Sequence, residues 1–222
     1  MTARTGKLIL SIVACAGVLI AAIAGADPTL GASLPSLQKG GYVVVVRHGA
    51  TDPQQKDIYP LDYGDPAKQR QLSEQGREVA RQMGYALRAL GIPIGKVFTS
   101  HLDRAVETGR LIAGKDVVWK EELNDSGMGS ASVMAGSPVV GNQRYAAALQ
   151  RFVATRPEPG TNTLIVTHKT NVKDAFRKPW ADLDEGESLV FDPDRFDTDR
   201  TPVLRAEASE WIGLALSRQE RQ

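Results

Sequence analysis

Tyr42-Val43-Val44-Val45-Val46-Arg47-His48-Gly49 is the stretch that decides the architecture of this chain. Four valines in succession form an unbroken β-branched run, with no alternation of polar and apolar positions. Such a run suits a strand covered on both faces, as at the centre of a parallel sheet. It ends abruptly at Arg47-His48-Gly49. A polar stretch rich in Asp, Pro, Gln and Tyr follows over 50–71, and a connection of that length in a compact domain is usually functional.

Downstream, strand and helix signals alternate. Ser73-Glu74-Gln75-Gly76 opens a helix in which Val79, Met83, Ala86, Leu87 and Leu90 recur at helical spacing, and Gly91-Ile92-Pro93 stops it. A second strand is expected over 96–99. Ser100 with Asp103 suggests a capped start to a helix carrying Ala105, Thr108, Leu111 and Ile112. A third strand is expected over 116–119, then an amphipathic helix through Tyr145, Leu149 and Phe152. Thr163-Leu164-Ile165-Val166-Thr167 reads as a fourth buried strand, with edge strands expected over 189–191 and 203–206. The alternation implies an α/β fold: a three-layer α/β/α sandwich around a largely parallel central sheet. In such folds ligands bind at the carboxyl ends of the strands.

The chain has three histidines, and each falls just past the end of an expected strand: His48, His101 and His168. Arg47 stands beside the first, Arg104 follows the second, and Lys169 follows the third. Structural histidines scattered by chance would rarely fall in this pattern. Imidazoles and guanidiniums gathered at one end of a sheet suit a phosphate ester, whose negative charge otherwise repels a nucleophile. Arginine adds permanent charge and a planar fork that can donate twice to one phosphate.

The N-terminus has a different character. Arg4 and Lys7 precede an apolar run over 8–24, which closes with Ala24-Gly25-Ala26. That order describes a secretory signal peptide over 1–26. The alternatives are an uncleaved membrane anchor and a lipoprotein signal, since Ile12-Val13-Ala14-Cys15 resembles a lipobox. Residues 27–39 read as a leader and 40–222 as one domain. Removing 26 of the 222 residues leaves 196, with 25 basic and 26 acidic side chains and no cysteine. Disulfides and thiol chemistry are then excluded, and nothing in the charge balance points to nucleic acid. The expected location is periplasmic or secreted, with membrane contact only through the N-terminal segment.

Arg47-His48-Gly49-Ala50-Thr51 resembles the signature of the histidine phosphatase superfamily, which includes phosphoglycerate mutases and acid phosphatases. The likeness continues in Gln71-Leu72-Ser73-Glu74-Gln75-Gly76-Arg77, in Thr99-Ser100-His101-Leu102-Asp103-Arg104-Ala105-Val106-Glu107-Thr108 and in Ile165-Val166-Thr167-His168. Four ordered blocks spread over about 40–191 make a specific signal. The resemblance implies a phosphoglycerate mutase-like fold. It implies a phosphohistidine formed on His48, phosphate binding by Arg47 and Arg104, and a second active-site histidine in His168. His48 must attack as a neutral imidazole, its other ring nitrogen held by a backbone carbonyl. His168 would serve best protonated, as a donor to the phosphoryl oxygens. No metal and no cofactor are required.

The proton donor is where the chain departs from its apparent relatives. In the mutase-like branch a Glu in a Leu-Asn-Glu stretch protonates the leaving group. Leu123-Asn124-Asp125 places Asp125 there, one methylene shorter, while Glu121 and Glu122 read as solvated neighbours. In the acid-phosphatase branch an Asp follows the second histidine, but here Lys169 stands in that place. Lysine cannot act as a carboxylic acid at neutral pH, so its expected role is one more positive charge facing the substrate. Gln54 replaces a common asparagine, which leaves Thr51 as the nearer hydroxyl donor. His101 lines the pocket or sits beside the Ser100 cap. Lys56 and Tyr59 are candidate substrate contacts, and Arg77 reads as an exposed helix residue.

These readings lead to an exported, metal-independent phosphomonoester hydrolase acting on a small phosphorylated substrate, such as an envelope sugar phosphate. The competing readings are a non-catalytic phosphate-binding protein on the same fold and a phosphoryl-transfer mutase.

Overall fold

In the computed structural model, residues 29–126, 138–196, 198 and 200–221 are described. The signal peptide expected over 1–26, Cys15 included, lies outside the described residues. The elements in chain order are α1 (Leu30–Lys39), β1 (Val43–Arg47), α2 (Glu74–Ala89), β2 (Ile94–Thr99), α3 (Asp103–Ala113), β3 (Val118–Trp119), α4 (Pro138–Ala154), β4 (Asn162–Thr167), α5 (Lys169–Phe176), β5 (Ser188–Phe191), β6 (Leu204–Ala206) and α6 (Ala208–Gln219).

The six strands form one sheet in the order β3-β2-β4-β1-β5-β6. β1 sits inside it, parallel to β4 on one side and antiparallel to β5 on the other. β2 is parallel to β3 and β4, and β6 is antiparallel to β5. Every strand except β5 therefore runs the same way. The valine run of β1 is buried on both faces, as its composition requires. Val44 and Val46 join the core beneath α1, α2, α3 and α6. Val43 and Val45 join the opposite core with Leu149 and Val153 of α4 and Val172 and Phe176 of α5. The result is the expected three-layer sandwich.

Three expectations change. The leader expected over 27–39 is instead largely a helix that belongs to the domain. In α1, Thr29 caps the first turn through Ala32 N, and Leu30, Leu34 and Leu37 are buried. Second, β5 is an interior strand with all four residues buried, not an edge strand. Third, α3 begins at Asp103 with Leu102 at the cap position and no side-chain cap. Ser100 is thereby released for a different task. By contrast, Ser73 caps α2 as expected, accepting the Gly76 N–H at 3.0 Å.

Gly76 shows how tightly α2 is pressed onto the segment after β1. A Cβ there would lie 2.1 Å from the Ala50 carbonyl oxygen, so only glycine fits. The same approach lets Ser73 N–H donate to Ala50 O at 2.9 Å. Ala50, two residues beyond His48, is thereby fixed to the start of α2.

Candidate active site

Backbone pairing brings three strand ends to one place. His48 N–H donates to Thr167 O at 3.1 Å, and Ser100 N–H to Val166 O at 3.1 Å. Gly186 N–H, from the turn before β5, lies 3.1 Å from both Arg47 O and His48 O. His48 and His168, far apart in sequence, are both buried, with ring centroids 5.1 Å apart and planes tilted by 58°.

His48 Nδ1 lies 2.8 Å from the Gly49 carbonyl oxygen. A carbonyl only accepts, so Nδ1 carries the proton and Nε2 of the neutral ring keeps its lone pair. This is the backbone anchor expected from the sequence. Burial holds the His48 pKa well below its ordinary value; the charges of His168, Arg104 and Arg47 push the same way, and the Gly49 contact pulls weakly against them. The ring is therefore a neutral imidazole at physiological pH, with the Nε2 lone pair free of a proton.

His168 differs from expectation. Its pKa is also well below the ordinary value, first through burial and then through Arg104, Arg70 and Arg47. Burial first, and then the field of three guanidiniums, disfavours the protonated donor expected from the sequence. Ser100 Oγ lies 2.8 Å from His168 Nε2 and accepts the Leu102 N–H at 3.2 Å. With one Oγ lone pair taken by Leu102, the hydroxyl can donate to Nε2, and in that arrangement the imidazole proton sits on Nδ1. That Nδ1 is buried without a hydrogen-bond partner and lies 3.9 Å from Asp125 Oδ2.

Arg104 is completely buried. Its Nη1 meets Asp57 Oδ1 at 3.0 Å and its Nη2 lies 3.6 Å from Asp125 Oδ2. Asp125 is held from behind by the Thr170 hydroxyl, and its neighbour Asn124 is locked by Asn171 Nδ2 on its carbonyl at 2.8 Å. The shorter side chain, expected as the proton donor, thus lies near both Arg104 and His168. Arg47 donates to Leu183 O at 2.9 Å and pairs with Glu185 Oε1 at 3.4 Å. Thr51 Oγ1 donates to the same Glu185 oxygen at 3.1 Å.

Lys169 does not take the expected position. Its ammonium pairs with Asp182 on a partly exposed surface, where Lys173 approaches the same carboxylate at 3.7 Å. Lys169 opens α5 directly after His168, and its charge is neutralised there instead of facing a substrate. Arg77 bonds Glu107 at 2.8 Å.

Three residues of the site escape sequence reasoning. Asp57 reaches Arg104 from the long loop, and its Oδ1 also accepts Arg70 N–H at 2.9 Å. Arg70 is a third guanidinium bearing on His168. Glu185 arrives from the turn before β5. The one sequence signal for the loop pair is the length of 50–71 itself. Gln69 ties that loop down: its Nε2 donates to Asp62 O and Tyr63 O, both at 3.3 Å, and its Oε1 accepts Asp103 N–H at 3.0 Å.

Among the described residues, six buried side-chain polar atoms lack a hydrogen-bond partner. Five of them belong to this group: Arg47 Nε, Arg70 Nε, Arg104 Nε and Nη2, and His168 Nδ1. The four arginine nitrogens each carry a hydrogen, as does His168 Nδ1 when Ser100 donates to Nε2, so the deficit is one of acceptors. An unmet buried donor costs on the order of 1–3 kcal/mol. Their clustering around His48 makes a set of donors that an oxygen-rich anion could satisfy.

Residues 43–163 match the histidine phosphatase superfamily (branch 1). A 2,3-bisphosphoglycerate-dependent phosphoglycerate mutase of Parvibaculum lavamentivorans is 33% identical over 96 residues, covering 40% of this chain and 43% of that protein. The mitochondrial serine/threonine-protein phosphatase Pgam5 of Drosophila grimshawi is 33% identical over 75 residues, 34% of this chain and 23% of that protein. The chain thus spans less than half the length of either curated relative. Among solved structures, TTHB049 from Thermus thermophilus is similar with a TM-score of 0.48 and 18% identity, over 75% of this chain and 99% of that one. With the match covering more than half of its residues, the chain belongs to the histidine phosphatase superfamily, branch 1.

Proposed function

We propose that the chain is a phosphomonoester hydrolase that acts through a phosphohistidine on His48. The observation that carries this reading is the anchored Nδ1 of His48, which leaves a neutral Nε2 amid donors that lack acceptors. The phosphoryl oxygens of a substrate would take those donors from Arg47, Arg70, Arg104 and His168. The Nε2 lone pair forms the bond to phosphorus as the bond to the ester oxygen breaks, and Asp125 in its protonated form gives its proton to that oxygen. In the second step the Asp125 carboxylate takes a proton from water. The resulting oxygen attacks phosphorus, the N–P bond breaks, and inorganic phosphate leaves with His48 neutral again. The positive field from the arginines stabilises the charge on the equatorial oxygens in both transition states.

The reading extends to export, which rests on the sequence of residues 1–26 alone, and to small phosphorylated substrates. Hydrolysis of 4-nitrophenyl phosphate with and without chelator, together with mass analysis of the peptide bearing His48 after an alkaline quench, tests it. The expected result is chelator-insensitive turnover, a phosphoryl adduct on His48, and loss of both in His48→Ala. An adduct elsewhere, or full turnover by His48→Ala, removes His48 as the nucleophile. Net transfer to an added phosphoglycerate instead of water would favour the mutase reading.

A further inference from the structure

Beside the pocket stands a stack of three rings that the hydrolytic chemistry does not use. His101 lies between Tyr63 and Trp119, 4.3 Å from the first and 4.0 Å from the second, with interplanar angles of 11° and 4°. Trp119 ends β3, the sheet's outermost strand next to β2, and pairs in register with Thr99. The stack therefore stands at the carboxyl end of the sheet, the same end as His48 and His168.

Its links to the site are short. Asn124 accepts His101 N–H at 2.7 Å and donates through Nδ2 to Tyr63 Oη at 3.0 Å, and the next residue is Asp125. His101 itself follows Ser100, whose hydroxyl touches His168. The ledge is thus tied to Asn124, the residue before Asp125, and through His101 to Ser100, the residue before it. Its rings are held rigidly, yet Trp119 is 52% exposed. Ile58 and Tyr59, also large and exposed, follow directly after Asp57, which grips Arg104. A half-exposed tryptophan, stacked on His101 at the edge of a cationic site, offers a flat apolar face to whatever the phosphate carries.

We infer that the Tyr63–His101–Trp119 stack is the leaving-group subsite, and that it favours phosphomonoesters of planar aromatic alcohols. The inference rests on the hydrolase reading for its orientation: with phosphorus at His48 Nε2, the ester oxygen faces Asp125, and the group beyond it passes the ledge. Stacking holds that group in the ground state and the transition state alike, so its loss raises KM and leaves kcat in place.

The test compares Trp119→Ala and Trp119→Phe with wild type on phenyl phosphate, glucose 6-phosphate and glycerol 3-phosphate. Trp119 is exposed, and a matching thermal midpoint would confirm that each variant folds. For Trp119→Ala, KM for phenyl phosphate is expected to rise roughly three- to tenfold, the scale of one aromatic contact. Glycerol 3-phosphate should be unaffected, and Trp119→Phe should restore most of the loss. Equal changes on phenyl and glycerol substrates, or no change on either, overturn the subsite while leaving the hydrolase reading intact. A larger loss on glucose 6-phosphate than on phenyl phosphate overturns the aromatic assignment. If wild type turns over nothing, binding of phenylphosphonate measured by titration calorimetry decides separately. Weaker binding by Trp119→Ala than by wild type keeps the ledge although the hydrolase reading falls, and equal binding by both overturns it.

Discussion

His48 and His168 face each other at 5.1 Å with each ring anchored on its far side, one by the Gly49 carbonyl and the other by Ser100 Oγ. Both are held neutral, so the pair offers one lone pair and one N–H to the space around them. A nucleophile beside a donor is the minimum needed to attack a phosphoryl group while holding one of its oxygens. Removing the anchor of the donor should separate the two roles. In Ser100→Ala the His168 ring loses its fixed tautomer, and kcat on 4-nitrophenyl phosphate is expected to fall about tenfold. The phosphohistidine adduct on His48 should still form.

The neutrality of the pair has a consequence for stability. A histidine whose folded pKa lies below its unfolded value binds fewer protons in the native state once pH falls to about 6.5. Its contribution is therefore fully present above that pH and is lost as pH falls through it. The slope approaches about 1.4 kcal/mol per pH unit for each such histidine. Urea unfolding at pH 7.5 and 5.5 should show a steeper loss in wild type than in the double variant His48→Asn/His168→Asn. Parallel slopes would mean that neither ring is held neutral by the fold.

Asp125 and Asp57 both approach Arg104, at 3.6 and 3.0 Å, but only Asp125 also faces the His168 donor. Asp125→Asn should lower kcat on a poor leaving group such as glycerol 3-phosphate by about 100-fold, and on 4-nitrophenyl phosphate by less than about threefold. Asp57→Asn is expected to affect both substrates alike, because it orients the arginine without touching the leaving group. The reverse pattern would transfer the acid role to Asp57.

Glu185 pairs with Arg47 and accepts from Thr51, so a phosphate held by the same two groups would compete with it. Glu185→Gln keeps the shape and removes the competing charge. Inhibition by inorganic phosphate is expected to tighten by about three- to tenfold, read as a lower inhibition constant. Weaker inhibition would show that Glu185 helps to build the anion site.

Gly76→Ala would drive a methyl group into the Ala50 carbonyl. The cost is about 1–3 kcal/mol, in the range of overpacking. For a domain of this size the thermal midpoint should drop by at least about 2 °C. A drop in activity beyond that of a control variant of equal stability would place the strain at His48.

Arg47, His48, Arg104 and His168 are legible in the sequence because each lies within two residues of a strand end or a helix start that a local pattern reveals, whereas Asp125 is legible only through the Leu-Asn-Glu likeness. Sheet topology then brings strand ends together without further information. Asp57, Arg70 and Glu185 are not legible for the opposite reason. They enter the site on loops whose path is set by tertiary ties, such as Gln69 to Asp103, that no periodicity announces. Lys169 departs from its expected place because α5 has only eight residues and starts immediately after His168, too short a helix to show a face. Ser100 reads as a helix cap because a serine three residues before an aspartate fits that pattern; its hydroxyl instead serves His168. α1 reads as a leader because Leu30, Leu34 and Leu37 are too few to stand out beside a secretion signal.

The one reversed strand has a consequence for how this site can change. Because β5 runs against its neighbours, its beginning lies where the other strands finish, and the turn carrying Glu185 becomes a wall of the pocket. That wall lies outside the four motif blocks that carry Arg47, His48, Arg104 and His168. Insertions or substitutions in the turn can therefore reshape substrate choice while the phosphoryl-transfer groups stay as they are. Selection can act on preference and on chemistry through separate stretches of the gene.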